Sequence, residues 1–197
     1  MMISKKGSRA QEILQALARM LEVSKGGRIT TSALASELGV SEAALYRHFP
    51  SKTRMFEGLI DFIEVTIFGR VTSILQEESS AEDMCYRILT LLLAFAEKNP
   101  GITRILNGDA LTGETQQLHQ RVAQFYARLD SQLKQVLRES QARDGIILSL
   151  PITTAANLML CATEGKIHQY VRSDFKDRPS ALWREQWQLL AQGIFKN

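Results

Sequence analysis

The stretch from Ile29 to Lys52 constrains this chain more than any other. Leu34 and Leu38 stand four residues apart, as do Leu45 and Phe49. The spacing predicts two short helices whose apolar stripes share one small core, with Val40 at the corner. Gly39 sits where the first helix must end in a left-handed residue, and Ser41 can cap the second. Ala35 is small enough for the two helices to cross closely, and the turn from Gly39 to Ser41 has the length of a helix-turn-helix. Thr30 or Thr31 caps the first helix, and a threonine hydroxyl there can also meet a phosphate. With Leu45 and Phe49 held inward, Ser41, Glu42, Ala43, Tyr46 and Arg47 point out, which makes the second helix a candidate reader of a DNA major groove. Small residues at its start permit approach to base edges, while Tyr46, Arg47, His48 and Lys52 supply donors for phosphates.

The charge distribution agrees. Up to Phe56 there are nine basic residues, Arg28, Arg47 and Lys52 among them, against four acids. That is +5, which leaves −2 for the rest of a chain whose net charge is +3. Such a split puts a nucleic-acid footprint, Arg28 included, on the first quarter of the chain. With 45% apolar and 23% charged residues, the 197-residue chain is expected to fold and to bury a real core. The longest apolar run, Ile88 to Ala96, is well short of the ~20 residues that span a membrane and predicts a buried helix. The start of the chain shows no apolar leader-like run, so the expectation is a cytoplasmic protein without membrane attachment. Cys85 and Cys161 lie in apolar helical settings without paired spacing and are expected to be buried, reduced thiols.

Periodicity makes the chain all-α, with no strand pattern and no internal repeat. Met1 to Ser8 is read as a basic arm, and Ile13, Leu14, Leu17, Met20 and Leu21 form a first amphipathic helix that Gly26-Gly27 breaks. Pro50 and Ser51 mark the start of a long helix. In that helix Leu59, Ile63 and Ile67 make the core stripe and Phe62 falls to its side, either widening the core face or standing free. Ser80 to Asp83 reads as a capping box, and Asn99-Pro100 opens a short helix that stops near Gly108. Leu118, Val122, Phe125, Leu129, Leu133 and Val136 form an unbroken stripe. Ile146 to Pro151 is an apolar connection. Ala155, Met159 and Ala162 then lie along one side of a helix, and Ser180 is expected to cap a last helix bearing Trp183, Trp187, Leu190 and Ile194. Two closing helices of this kind predict a dimer seam built as a four-helix bundle, the alternative being that they close the chain's own core.

The segment Ser41 to Lys52, followed by a larger helical part, resembles the TetR family. Further motifs carry a likeness to its nucleoid occlusion branch in both halves: Arg28-Ile29-Thr30-Thr31, Ser51 to Phe56, Asn99-Pro100-Gly101, Thr103 to Leu106, Gln132 to Glu139, Val171-Arg172-Ser173 and Arg178-Pro179. The resemblance implies a three-helix DNA-binding domain over residues 1–52 and a helical regulatory, dimerisation and partner-binding domain over 53–197. It implies a homodimer that binds palindromic chromosomal sites, with higher-order assembly on DNA left open. On DNA such a dimer antagonises polymerisation of the tubulin-like division protein FtsZ. Its FtsZ contacts, carried over, are Phe62, Arg70, Leu91, Lys98 and Asn99, where Lys98 replaces the usual arginine.

The competing expectation is an ordinary TetR-type repressor released from its operator by a small ligand, for which His119, His168 or Glu164 could supply polar groups. No phosphate-cradling glycine loop, metal-ligand spacing or glycine-flanked nucleophile occurs. The chain is therefore expected to have no catalytic residues, no metal and no cofactor.

Overall fold

The computed structural model describes residues 8–24, 27–77 and 79–196. The arm expected over Met1 to Ser8 therefore lies, except for Ser8, outside the described residues, as does Gly26 of the first break. In chain order the helices are α1 (Arg9–Val23), α2 (Thr31–Glu37), α3 (Glu42–Tyr46), α4 (Lys52–Leu75), α5 (Ala81–Lys98), α6 (Pro100–Asn107), α7 (Gln116–Asp144), α8 (Ile152–Arg172) and α9 (Trp183–Ile194). The chain divides into two compact units, with boundaries after Glu64, Glu97 and Val122, so that the first unit takes back residues 98–122.

In the first unit the local signals act as read. The Thr30 hydroxyl accepts from Ala33 N–H (3.1 Å), Ser41 from Ala44 N–H (3.3 Å) and Ser51 from Arg54 N–H (3.2 Å), each satisfying a donor that a helix start leaves open. Gly39 has φ +64°, a left-handed angle that costs a side-chain-bearing residue energy. Ile13, Leu17, Leu21, Leu34, Leu45, Met55, Phe56 and Leu59 form the core. Helix α6 closes it with Ile102 and Ile105. Pro100 opens α6 and Gly108, at φ +86°, ends it. Where α6 crosses α1, Gly101 lies so close that a Cβ would stand 2.0 Å from the Ala18 carbonyl oxygen. Beside it Arg104, 4% exposed, donates to the Leu21 carbonyl (3.0 Å), the Ser24 hydroxyl (2.8 Å) and the Asp109 carboxylate (2.8 Å).

The second unit is built around the α7 stripe. Phe125, Leu129, Leu133 and Val136 are buried, as are Ile67, Phe68 and Val71 of α4 and the run Ile88 to Leu93 apart from Thr90 and Leu91. Phe68 meets Phe125 at 5.4 Å between ring centroids, and the Arg128 guanidinium lies over the Phe68 ring at 3.7 Å.

Several expectations need correction here. Trp183 and Trp187 are 3% and 5% exposed within the single chain, and Ala155 and Met159 are fully buried, so these four side chains close the unit's own core and have no surface left for a dimer seam. The indoles pack on each other (6.0 Å), Trp187 packs on Tyr86 (5.6 Å), and Trp183 donates its N–H to Thr90 (2.9 Å). Ala162 and Leu190 are half-buried. Ser180 does not cap α9, because its hydroxyl is given to Glu97; the residue preceding the helix is Leu182, at φ +59°. The connection after α7 forms a two-residue strand, Ile147–Leu148, antiparallel to Phe195–Lys196. Its side-chain pattern is too short to register as alternation in sequence. Cys85 is buried, which pushes its thiol up to about 12 and leaves it unreactive at neutral pH, but Cys161 is exposed.

Candidate nucleic-acid interface

The helix-turn-helix is held together by side chains as well as by its core. The Thr31 hydroxyl donates to Glu42 (2.6 Å) and accepts from the Tyr46 hydroxyl (3.3 Å), so the first residue of α2 is tied to both ends of α3. Arg28, Thr30, Ser41, Glu42, Ala43, Tyr46, Arg47 and His48 are exposed, and Thr31 is half-buried. These nine predicted residues thus lie just before and at the start of α2, at the turn, and along and directly after α3. Glu42 and Tyr46 act first as braces for Thr31, which orients α3 before any ligand arrives.

Lys52 departs from the expectation. Its side chain is 19% exposed and its ammonium is bonded to Glu114 at 2.5 Å, with the Phe56 ring 5.5 Å away. The burial of Glu114, whose side chain is 7% exposed, draws the lysine inward. Glu114 also faces the Arg28 guanidinium at 3.9 Å. Nothing in the local pattern around Glu114 marks it, since its partners lie more than sixty residues earlier in the chain. Three further contacts run between α7 and the first half of α4. Gln117 donates to Glu57 (2.7 Å), and Arg121 bridges Asp61 and Glu64 (2.9 Å each), whose hydrogen bonds raise the guanidinium's hold on its proton.

Of the residues proposed to contact a protein partner, Arg70 and Leu91 line an open groove of about 310 Å³ in the second unit. Ser73, Ile74 and Glu77 complete one wall, and Tyr86, Arg87 and Thr90 the other. Arg87 is neutralised there by Glu77 (2.7 Å) and Asp83 (3.6 Å), while Arg70 is exposed. Phe62 is half-buried on α4, Lys98 is exposed at the end of α5, and Asn99 is the half-buried residue that precedes α6. Among the groups considered for a small ligand, the His119 ring meets the Leu111 carbonyl (3.0 Å) and His168 is exposed. Glu164 is half-buried, and that burial raises its carboxyl above the ordinary range.

Residues 13–59 match the family described as bacterial regulatory proteins, tetR family, and residues 84–194 match the SlmA-like tetracyclin repressor-like C-terminal domain. A nucleoid occlusion factor SlmA of Marinomonas sp. is 53% identical over 196 residues, with all of both chains covered. The protein of the same name from Alteromonas mediterranea is 56% identical over 188 residues, covering 95% of this chain and 96% of its own. The chain belongs to the SlmA family. Membership places it among TetR-type bacterial regulatory proteins and not among enzymes. Solved structures share the fold. The fatty acid degradation regulator FadR from Bacillus halodurans superposes with a TM-score of 0.80 at 16% identity, over 96% of this chain and 98% of that one. MbdR from Azoarcus sp. gives 0.78 at 15% identity, over 93% and 98%.

In a SlmA-family head built this way, Arg47, the residue directly after α3, is an exposed cation with no assigned structural duty. Replacing Arg47 with alanine should weaken binding to a specific duplex by roughly 1–3 kcal/mol while leaving the melting temperature within a degree or two. Fluorescence anisotropy with labelled duplex measures the first and thermal denaturation the second; unchanged affinity would remove Arg47 from the interface.

Proposed function

We propose that this chain is a DNA-activated nucleoid occlusion factor. As a homodimer it binds palindromic chromosomal sites through the exposed residues of α2 and α3, and on DNA it antagonises FtsZ polymerisation, so that septa do not form over the nucleoid. The observation that carries this reading is identity above one half with proteins named nucleoid occlusion factors, extending over the full chain and not the reading head alone. Residues 1–52 would serve DNA and residues 53–197 regulation, dimerisation and partner contact, with Ala162 and Leu190 at the seam. Protein partner contact is assigned to Arg70, Leu91, Phe62, Lys98 and Asn99. Arg70, exposed beside an already neutralised Arg87, supports the assignment by offering a cation to an acidic partner segment.

The deciding experiment follows FtsZ assembly with GTP by light scattering and sedimentation, with this protein present and with or without a palindromic duplex. Disruption that needs the duplex supports the proposal. Tight DNA binding without any effect on FtsZ favours the less supported alternative, a repressor released by a small ligand. Within the proposal, Phe62→Ala should abolish most of the effect on FtsZ while leaving duplex affinity within about twofold. A variant that loses DNA binding and folding together would assign Phe62 to the core instead.

A further inference from the structure

We propose that Glu114 sets the DNA affinity of the reading head by acting as an internal competitor for its cations. The inference rests on the DNA-binding reading of α2 and α3. Glu114 stands just before α7, far from the helix-turn-helix in sequence, yet its side chain is only 7% exposed and one of its oxygens, Oε1, faces two head cations at once: Lys52 Nζ at 2.5 Å and Arg28 Nε at 3.9 Å. A carboxylate so placed offers Lys52 the charge-assisted bond that a backbone phosphate would offer. The two claims on the ammonium are exclusive in practice. Lys52 is 19% exposed, and the ring of Phe56 flanks it at 5.5 Å, so its freedom to serve both partners is small.

The electrostatic consequence is measurable. Each phosphate neutralised by a lysine or arginine releases condensed counterions and steepens the dependence of log affinity on log salt by about 0.9. While Glu114 holds Lys52, that cation is withheld from the count, and the negative carboxylate further reduces the field of Arg28, whose side chain is 70% exposed. Glu114 is thus an affinity-setting residue that acts through Lys52, while sequence readout stays with α3.

The test compares the wild-type chain with Glu114→Gln, Lys52→Met and the double variant, all full length. Binding to one labelled palindromic duplex is measured from 50 to 200 mM salt, with thermal melting as the folding control. Glu114→Gln is expected to bind roughly fivefold tighter at the lowest salt, with a salt slope steeper by about 0.9, one extra phosphate contact. In the Lys52→Met background the same substitution should gain less than twofold. A gain that persists undiminished without Lys52 would reduce Glu114 to general repulsion of DNA and overturn the proposal. So would a loss of affinity in Glu114→Gln with folding intact, which would make the carboxylate a support that aims Lys52 at the phosphate. If the wild-type chain binds no palindromic duplex at all, it is the DNA-binding reading that fails.

Discussion

Gly101→Ala is expected to lower the stability of the first unit by about 3 kcal/mol or more. Enlarging a packed residue ordinarily costs roughly 1–3 kcal/mol, because side chains around the new atoms can shift. Here the atoms in the way are backbone. The added methyl would lie 2.0 Å from the Ala18 carbonyl oxygen and 2.8 Å from the Glu22 nitrogen, both inside α1, so relief requires the helices to separate. Separation would uncover Ile102 and Ile105 together with Leu17 and Leu21, and would stretch the bond from Arg104 to Leu21. Equilibrium urea unfolding followed by circular dichroism should show the transition of this unit displaced downward by about 1 M or more. Duplex binding should fall in parallel, since α1 forms part of the core that supports α3. An unchanged transition would show that α1 and α6 have room to move apart.

Arg104 gives the second large effect. Its guanidinium satisfies the Leu21 carbonyl at the end of α1, the Ser24 hydroxyl that follows and the Asp109 carboxylate beyond α6. Removing one member of a buried charged group typically costs about 3–5 kcal/mol, because the partners stay behind without it. Asp109 is 34% exposed in its side chain and can recover some hydration, which places Arg104→Ala toward the lower end, at roughly 3 kcal/mol. Arg104→Lys should recover little. A single ammonium cannot present the planar fork that reaches Asp109 through two nitrogens, at 2.8 and 2.7 Å, while also bonding Leu21 and Ser24. Urea midpoints of the two variants test this directly. Full rescue by lysine would mean that charge alone, without geometry, holds the α1 terminus.

What could be read from sequence was local. The Thr30, Ser41 and Ser51 caps, the left-handed Gly39 and the α7 stripe depend on residues three or four apart, and each formed as its spacing implies. The candidate reading surface was legible for the same reason, being the outward side of two short helices. What failed was distant. A tryptophan stripe looks the same whether it meets the chain's own helices or a partner's, and Tyr86, Thr90 and the neighbouring indole decided the matter for Trp183 and Trp187. Ser180 had the residue type of a cap, but Glu97 outcompeted the helix for its hydroxyl. Lys52 looked like one more basic residue of the head, and only the fold brings Glu114 to it. Buried ion pairs between segments sixty or eighty residues apart leave no periodicity to find.

The return of residues 98–122 to the first unit bears on how this protein can be taken apart. Grafting α1 to α3 onto another regulator, or expressing them as a fragment, would strip α1 of the helix against which Gly101 and Arg104 seat it. The exchangeable module is discontinuous: two stretches of chain that must be transplanted together, with the intervening segment kept from the parent that supplies residues 123–197, on which it packs. Chimeras cut only once, after α3 or within α4, would be expected to precipitate, whereas those that exchange both stretches should keep a soluble head with its donor's DNA preference.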